Sequence, residues 1–221
     1  MRVAVVLSGC GVYDGSEIHE AVLTLLALDR EGVEIECVAP DMDQLHVINH
    51  ETGKSMENEY RNVPVEAARI ARGKVTPLHH VTGDDFDAAV FPGGYGAVKN
   101  LCSYAMEGTR CLVNPDVEMF VQDLHRGQKP IGFICVTPII AARVLGQFSP
   151  KLTIGNDQET SEDIQAFGGE HFICKTDDIV IDEINRLVST PAYMLETSIA
   201  SVAIGIEKCV KAVLKLASHK E

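Results

Sequence analysis

Positive charge is scarce in this chain of 221 residues: 19 Lys and Arg stand against 32 Asp and Glu, for a formal net charge of −13. Such a surface repels phosphate backbones and anionic membranes at long range, so neither nucleic acid nor membrane is an expected partner. No apolar run approaches the roughly 20 residues of a membrane span, and residues 1–7 are too short for the apolar region of a secretory signal. A cytoplasmic protein is expected, a mature mitochondrial form not being excluded. The seven cysteines contain no CxxC pair, and the eight histidines contain no HxH or HExxH spacing. Zinc sets and a disulfide framework are thereby disfavoured, and no metal or cofactor is expected. Repeats, linkers and low-complexity stretches are also missing. One domain over residues 1–221 is expected, within the roughly 250 residues that a single core can serve.

What is present alternates between two periodicities. Residues 2–7 form an apolar run followed by a glycine-rich stretch, and Ser16 is placed to cap a helix carrying Ile18, Val22, Leu23, Leu25 and Leu26. Gly32 closes that helix, and residues 33–39 form a second strand ended by Pro40. A short hairpin at 46–54, a helix at 64–72 and a buried strand at 87–91 follow. Asn114 then caps a helix with Pro115 in its first position, ending at Gly127. A strand at 129–134 leads to Cys135, residues 138–145 are helical, and 152–154 are extended. Residues 179–182 face 187–190 across a turn, and a final helix places Ile199, Val202, Ala203, Ile206, Val210, Val213 and Leu214 on one face. Strands alternating with helices predict an α/β sandwich of three layers, a mainly parallel sheet with helices on both faces. Its ligand site then lies at the carboxyl ends of the strands.

Cys135 stands between a strand and a helix, on an elbow where a helix N-terminus lowers a thiol pKa from about 8.5 and enriches the thiolate. It is the expected nucleophile. Gly93 and Gly94 follow another strand end and allow close backbone approach, so the N–H groups of Gly94 and Val136 are candidate oxyanion donors. Glu17 and Glu20 share one face of the first helical turn, and whichever faces Cys135 can move protons. His19 lies between them and is a candidate for lining the same pocket. Gly9, Gly11 and Gly15 invite a dinucleotide reading, but the last is one residue late for GxGxxG, and Pro40 interrupts before Asp41. The acidic group Asp177, Asp178, Asp182 and Glu183 lacks the spacing of an oxygen cage.

Longer strings then carry a resemblance over nearly the whole chain: Ser8-Gly9-Cys10-Gly11-Val12-Tyr13-Asp14-Gly15-Ser16-Glu17-Ile18-His19-Glu20, Val47-Ile48-Asn49-His50, the stretch from Pro92-Gly93-Gly94 to Lys99-Asn100-Leu101, Asp178-Ile179-Val180, and Thr190-Pro191-Ala192-Tyr193-Met194. The chain resembles the ElbB family, isoprenoid biosynthesis proteins with an amidotransferase-like domain, within the PfpI-like class I glutamine amidotransferase-like superfamily. The resemblance implies a flavodoxin-like sandwich, Cys135 as elbow nucleophile, Glu20 as the carboxylate beside it with Glu17 as fallback, and a homodimer. It also implies a cofactor-free glyoxalase activity on a small reactive aldehyde, glyoxal or methylglyoxal, giving glycolate or lactate. Two departures bear on this. Val136 replaces the histidine that follows the nucleophile in PfpI-type proteases, and Gly155 stands where other relatives place a histidine. An incomplete Cys-His-acid triad argues against glutaminase or peptidase chemistry, and hence against an ammonia-supplying subunit. A non-enzymatic redox or stress-response module, sensing oxidants through Cys135, is the competing reading.

Overall fold

Four of the five residues of Arg2–Val6 (β1) are buried, as expected of a strand covered on both faces rather than one. The computed structural model of the chain describes residues 1–219. After β1 come Ile18–Arg30 (α1) and Glu34–Ala39 (β2). Next are a hairpin of Ile48–Asn49 (β3) and Lys54–Ser55 (β4), and Val63–Ala71 (α2), capped by the Asn62 side chain. Thr76–Pro77 (β5) and Ala88–Phe91 (β6) precede two short helices, Tyr95–Lys99 (α3) and Tyr104–Glu107 (α4). Pro115–Arg126 (α5) begins at the Asn114 cap and ends at Gly127, as its flanking residues predict. Ile131–Ile134 (β7) and Pro138–Leu145 (α6) enclose the Cys135 elbow. The remainder comprises Lys151–Leu152 (β8), Gln158–Ala166 (α7), Glu170–His171 (β9), Val180–Asp182 (β10), Leu187–Thr190 (β11) and Ile199–Ser218 (α8).

The main sheet has seven strands in the order β10-β11-β7-β6-β1-β2-β5, all pairs parallel except β10 with β11. Alternate residues of β1 face opposite layers. Val3 and Val5 pack with α1, α2 and α8, including Leu28, Ile70 and Val210, whereas Ala4 and Val6 pack with Phe120, Phe133 and Ile139. On the second side Phe91 and Phe133 stack at 5.0 Å between ring centroids. Burying each such side chain contributes about 1.5–3 kcal/mol. The predicted three-layer flavodoxin-like α/β architecture is thus the one observed.

The chain runs outward from β1 through β2 on one side and through β6 and β7 on the other, so order reverses between β1 and β6. A crevice forms at the carboxyl ends of strands at such a reversal. The loops after β1, β6, β7 and β11 all gather there.

Several local expectations are corrected. Ser16 does not cap α1: its Oγ accepts from Ser8 N–H at 2.8 Å inside the loop, and Glu17 is the cap. In α8, Ile199 is 48% exposed, and Gly205, Cys209 and Ala217 complete the buried face instead. The extended segment at 152 pairs with β9 in a separate two-stranded ribbon, outside the main sheet.

Candidate active site at the Cys135 elbow

Cys135 adopts φ 64°, the left-handed region that non-glycine residues avoid. The turn is held from three sides. Cys135 N–H donates to Thr190 O on β11 at 2.9 Å, Thr137 Oγ1 accepts from Ile134 N–H at 2.8 Å, and the same hydroxyl lies 3.0 Å from Phe91 O. Pro138 then opens α6 without wasting an amide donor. A strained φ held by partners on three neighbouring elements makes Cys135 the candidate centre of the site.

Opposite the thiol, Glu20 is fully buried in the first turn of α1. Its Oε2 accepts from Gly93 N–H at 2.9 Å, and its Oε1 accepts from Tyr193 N–H at 3.2 Å. Its carboxyl is also hydrogen-bonded to Cys135. Loss of water around it, then the negative charge of Glu17, raise the Glu20 pKa to about 8 against the pull of these hydrogen bonds. Glu17 is buried too, and its Oε2 caps α1 by accepting from Glu20 N–H at 2.7 Å. Glu17 N–H donates to Gly93 O at 2.9 Å, so the glutamates and the Gly93 peptide interlock.

Gly93 leaves no room for a side chain: a Cβ there would lie 2.4 Å from Cys135 Cβ and 2.7 Å from Glu20 Oε2. Gly94 has φ 100° and backs onto the Glu17 amide, where a Cβ would lie 2.4 Å from the nitrogen. The N–H groups of Gly94 and Val136 are both directed at the Cys135 sulfur, where they favour its thiolate. A cavity of about 390 Å³ opens in front, lined in part by Val12, Glu17, Tyr104, Asp157, Tyr193 and Met194. A groove of about 630 Å³ by Lys175 and the start of α8 shares Met194 but holds neither Cys135 nor Glu17, and Glu20 is buried behind the cavity wall.

No family model matches the chain. It is 46% identical to the human "Glutamine amidotransferase-like class 1 domain-containing protein 3, mitochondrial" over 97% of its own length and 83% of that protein. To the rat "ES1 protein homolog, mitochondrial" it is 45% identical, over 97% of this chain and 84% of that one. The chain belongs to the class I glutamine amidotransferase-like ES1 family. Its fold superimposes with a TM-score of 0.89 on the crystal structure of an isoprenoid biosynthesis protein with amidotransferase-like domain from Ehrlichia chaffeensis. That protein is 38% identical, and the match covers 97% of this chain and 99% of that one. Drosophila melanogaster DJ-1beta shares the fold alone, with a TM-score of 0.58 and 18% identity over 98% of this chain and 95% of that one.

Within this family fold, Cys135, Glu20, Glu17, Gly94 and Val136 converge as the sequence predicts, and Glu20 rather than Glu17 touches the thiol. His19 does not line the cavity. It is exposed, with Nδ1 2.9 Å from the Tyr193 hydroxyl, so it reaches the site only by bracing a wall residue. The expectation of an exposed, acidic thiol is corrected as well. Cys135 is 7% exposed, and burial followed by the neighbouring Glu20 charge pushes its pKa well above the ordinary thiol value, outweighing the two amide donors. α6 begins three residues later and is too short a lever against that desolvation.

Sequence reasoning missed the far wall. Tyr104 Oη donates to Asp163 Oδ2 at 2.5 Å, and Asp157 caps α7 by accepting from Thr160 N–H at 2.9 Å. The Asp157-to-Thr160 spacing was a readable cap signal, whereas nothing local to Tyr104 showed that it faces Cys135. Tyr193 and Met194 lie in a string that carries the resemblance but has no role until β11 is paired.

A buried thiol beside a carboxyl of raised pKa has a measurable signature. The alkylation rate of Cys135 by iodoacetamide, followed by peptide mass spectrometry, should rise steeply between pH 6 and 9. A rate level across that range would mean a preformed thiolate and contradict the site described above.

Proposed function

We propose that the Cys135–Glu20 pair carries out a cofactor-independent glyoxalase reaction on a small reactive aldehyde, glyoxal or methylglyoxal. The observation behind this reading is Glu20 itself: a buried carboxyl with pKa about 8, bonded to the nucleophile, suits proton transfer in both directions near neutral pH.

In the proposed sequence the Cys135 sulfur adds to one aldehyde carbon while Glu20 takes the thiol proton. Glu20 returns that proton to the resulting oxyanion, held by the Gly94 and Val136 N–H groups, which gives a hemithioacetal and leaves Glu20 as the carboxylate. Glu20 carboxylate removes the hydrogen from that carbon to form an enediol, and its carboxylic acid returns a proton to the neighbouring carbon. One carbon is oxidised and the other reduced, leaving a thioester with no external electron acceptor. Water cleaves the thioester, releasing glycolate or lactate and restoring the thiol. No histidine lines the cavity among the described residues, and this sequence needs none.

The test is consumption of glyoxal and methylglyoxal without glutathione by the wild type, Cys135→Ala and Glu20→Gln. Turnover to the hydroxy acid by the wild type, with both variants reduced by at least about 100-fold, is the expected result. An inert wild type overturns it. The same reading takes the assembly as a homodimer, to be read as a doubled mass by light scattering. It takes the compartment from the human and rat relatives, whose names place them in mitochondria.

A second reading rests on the same carboxyl. Protonated Glu20 can donate to an oxygen on sulfur, so a Cys135 sulfinate formed by two peroxides, each reduced to water, would be held in place and serve as an oxidant signal. That module predicts a gain of two oxygens at Cys135 and no aldehyde turnover.

A further inference from the structure

Behind the Tyr104 wall lies a second pair of sulfurs that the proposed reaction does not use. Residues 101–103 and 112–114 form a narrow antiparallel pairing: Ser103 N–H donates to Leu112 O and Asn114 N–H donates to Leu101 O, both at 2.9 Å, and Cys102 sits opposite Val113. Cys111 is two residues before Val113 and therefore on the same side of the ribbon as Cys102. Cys102 Sγ donates to Ala97 O at 3.7 Å, and the two thiols shift each other's pKa in opposite directions, Cys102 up and Cys111 down. Both are buried, at 4% and 0% exposure, yet Cys111 belongs to neither apolar core cluster. It lies instead under the exposed Thr109, Arg110 and Leu112, with Arg143 beside it: the Arg143 Nε–H donates to Cys111 O at 3.1 Å.

The geometry points to Cys102 and Cys111 as a dithiol that peroxide converts to a disulfide, closing the loop that carries α4 against the cavity of Cys135. The interaction with Cys102, and after it the Arg143 guanidinium, lower the Cys111 pKa, whereas the same interaction followed by burial raises that of Cys102, so Cys111 is the thiol that ionises first. Cys111 sulfur attacks one peroxide oxygen: an S–O bond forms, the O–O bond breaks, and the first water leaves. Cys102 sulfur then attacks that sulfenic sulfur: the S–S bond forms, the S–O bond breaks, and the second water leaves. Two thiols lose two electrons in total and one peroxide becomes two waters.

The consequence reaches the active-site cavity because the loop between the two cysteines contains Tyr104 and Ala105, which line it. A cross-link there fixes one wall of the cavity without touching Cys135. This inference stands apart from the glyoxalase reading and survives its failure.

Native Cys135→Ala protein, in which Cys135 cannot consume the oxidant, is treated with hydrogen peroxide, alkylated under denaturing conditions and digested with trypsin. Cleavage after Arg110 separates residues 100–110 from 111–126 unless a disulfide joins them. The expected product is the joined pair, lighter by two hydrogens than the sum and parted by reductant. It should be absent from Cys102→Ser and Cys111→Ala variants, whose folding is verified by circular dichroism. Both cysteines recovered alkylated and unlinked, or oxidised singly to sulfinate, would overturn the inference. So would a link that forms only in unfolded chain.

Discussion

Alanine in place of Gly93 should disable the site more completely than any other single methyl group. Its Cβ would sit 2.4 Å from Cys135 Cβ and 2.7 Å from Glu20 Oε2, separations that real Cβ atoms do not show. Neither neighbour can yield easily. Cys135 is fixed at φ 64° by its hydrogen bond to Thr190, and Glu20 is held by two backbone donors. The Gly93 peptide must therefore shift, breaking its own exchange with Glu17 and Glu20. Overpacking of this kind costs about 1–3 kcal/mol of stability, and a displacement near 1 Å costs on the order of 100-fold in rate. The variant should lose about 100-fold in Cys135 alkylation and in any aldehyde turnover. Gly127→Ala is the control, since Gly127 has φ −75° and its nearest neighbour would be 3.3 Å away. Equal alkylation rates for Gly93→Ala and wild type would show that the crowding around Cys135 is not what positions it.

Glu20→Gln should flatten the pH dependence of folding stability. The folded pKa of Glu20, about 8, lies above its ordinary value of 4.5, so the folded state holds this proton more tightly than the unfolded chain does. Its contribution is therefore fully present below about pH 4.5, declines as pH rises, and is lost above about pH 8. The size of that loss is on the order of a few kcal/mol. Glutamine cannot titrate, but its NH2 group must face either Gly93 N–H or Tyr193 N–H, so the variant starts less stable at pH 5 by about 1–3 kcal/mol. The diagnostic is slope rather than level. Urea midpoints between pH 5 and 9 should fall for the wild type and fall much less for Glu20→Gln. Groups whose shifts do not depend on Glu20, such as His171, cancel in the difference, whereas Cys135, raised in part by the Glu20 charge, moves with it. Parallel curves would mean that Glu20 titrates normally, and the proton-shuttle role would lose its basis.

Cys135 and Glu20 also show why the family name does not by itself describe the chemistry. Glutamine hydrolysis by a cysteine elbow relies on a basic partner that activates the thiol and then protonates the leaving amine. Here the group touching the thiol is acidic, and the other titratable groups in the cavity wall include Glu17 and Asp157. A carboxyl poised near neutral pH suits carbon–hydrogen proton transfer better than amide cleavage.

Strand-helix alternation, the Asn114-Pro115 start and Gly127 end of α5, and the elbow at Cys135 were all legible locally, because each depends on residues within one or two turns of chain. The anionic balance and absent metal spacings narrowed the chemistry in the same way. Two carboxylates on one face of α1 were legible as well, but not which of them meets the thiol. That choice depends on the rotation of α1 against β6, which is set when Glu17 N–H donates to Gly93 O across 76 positions in sequence. The state of the thiol was misread for a related reason. A helix N-terminus next in sequence predicts a lowered pKa, but desolvation and a buried carboxyl contributed by distant α1 raise it, and only packing brings those together. His19 went to the rim, Tyr104 and Tyr193 to the wall, and Cys102 to Cys111, each through contacts that no local pattern encodes. Sequence by itself determined the class of fold and the position of the Cys135 elbow, since periodicity and turn chemistry are short-range. Tertiary structure decided which carboxyl meets the thiol, the shape of the cavity and the approach of Cys111 to Cys102, since burial and charge act across space rather than along the chain.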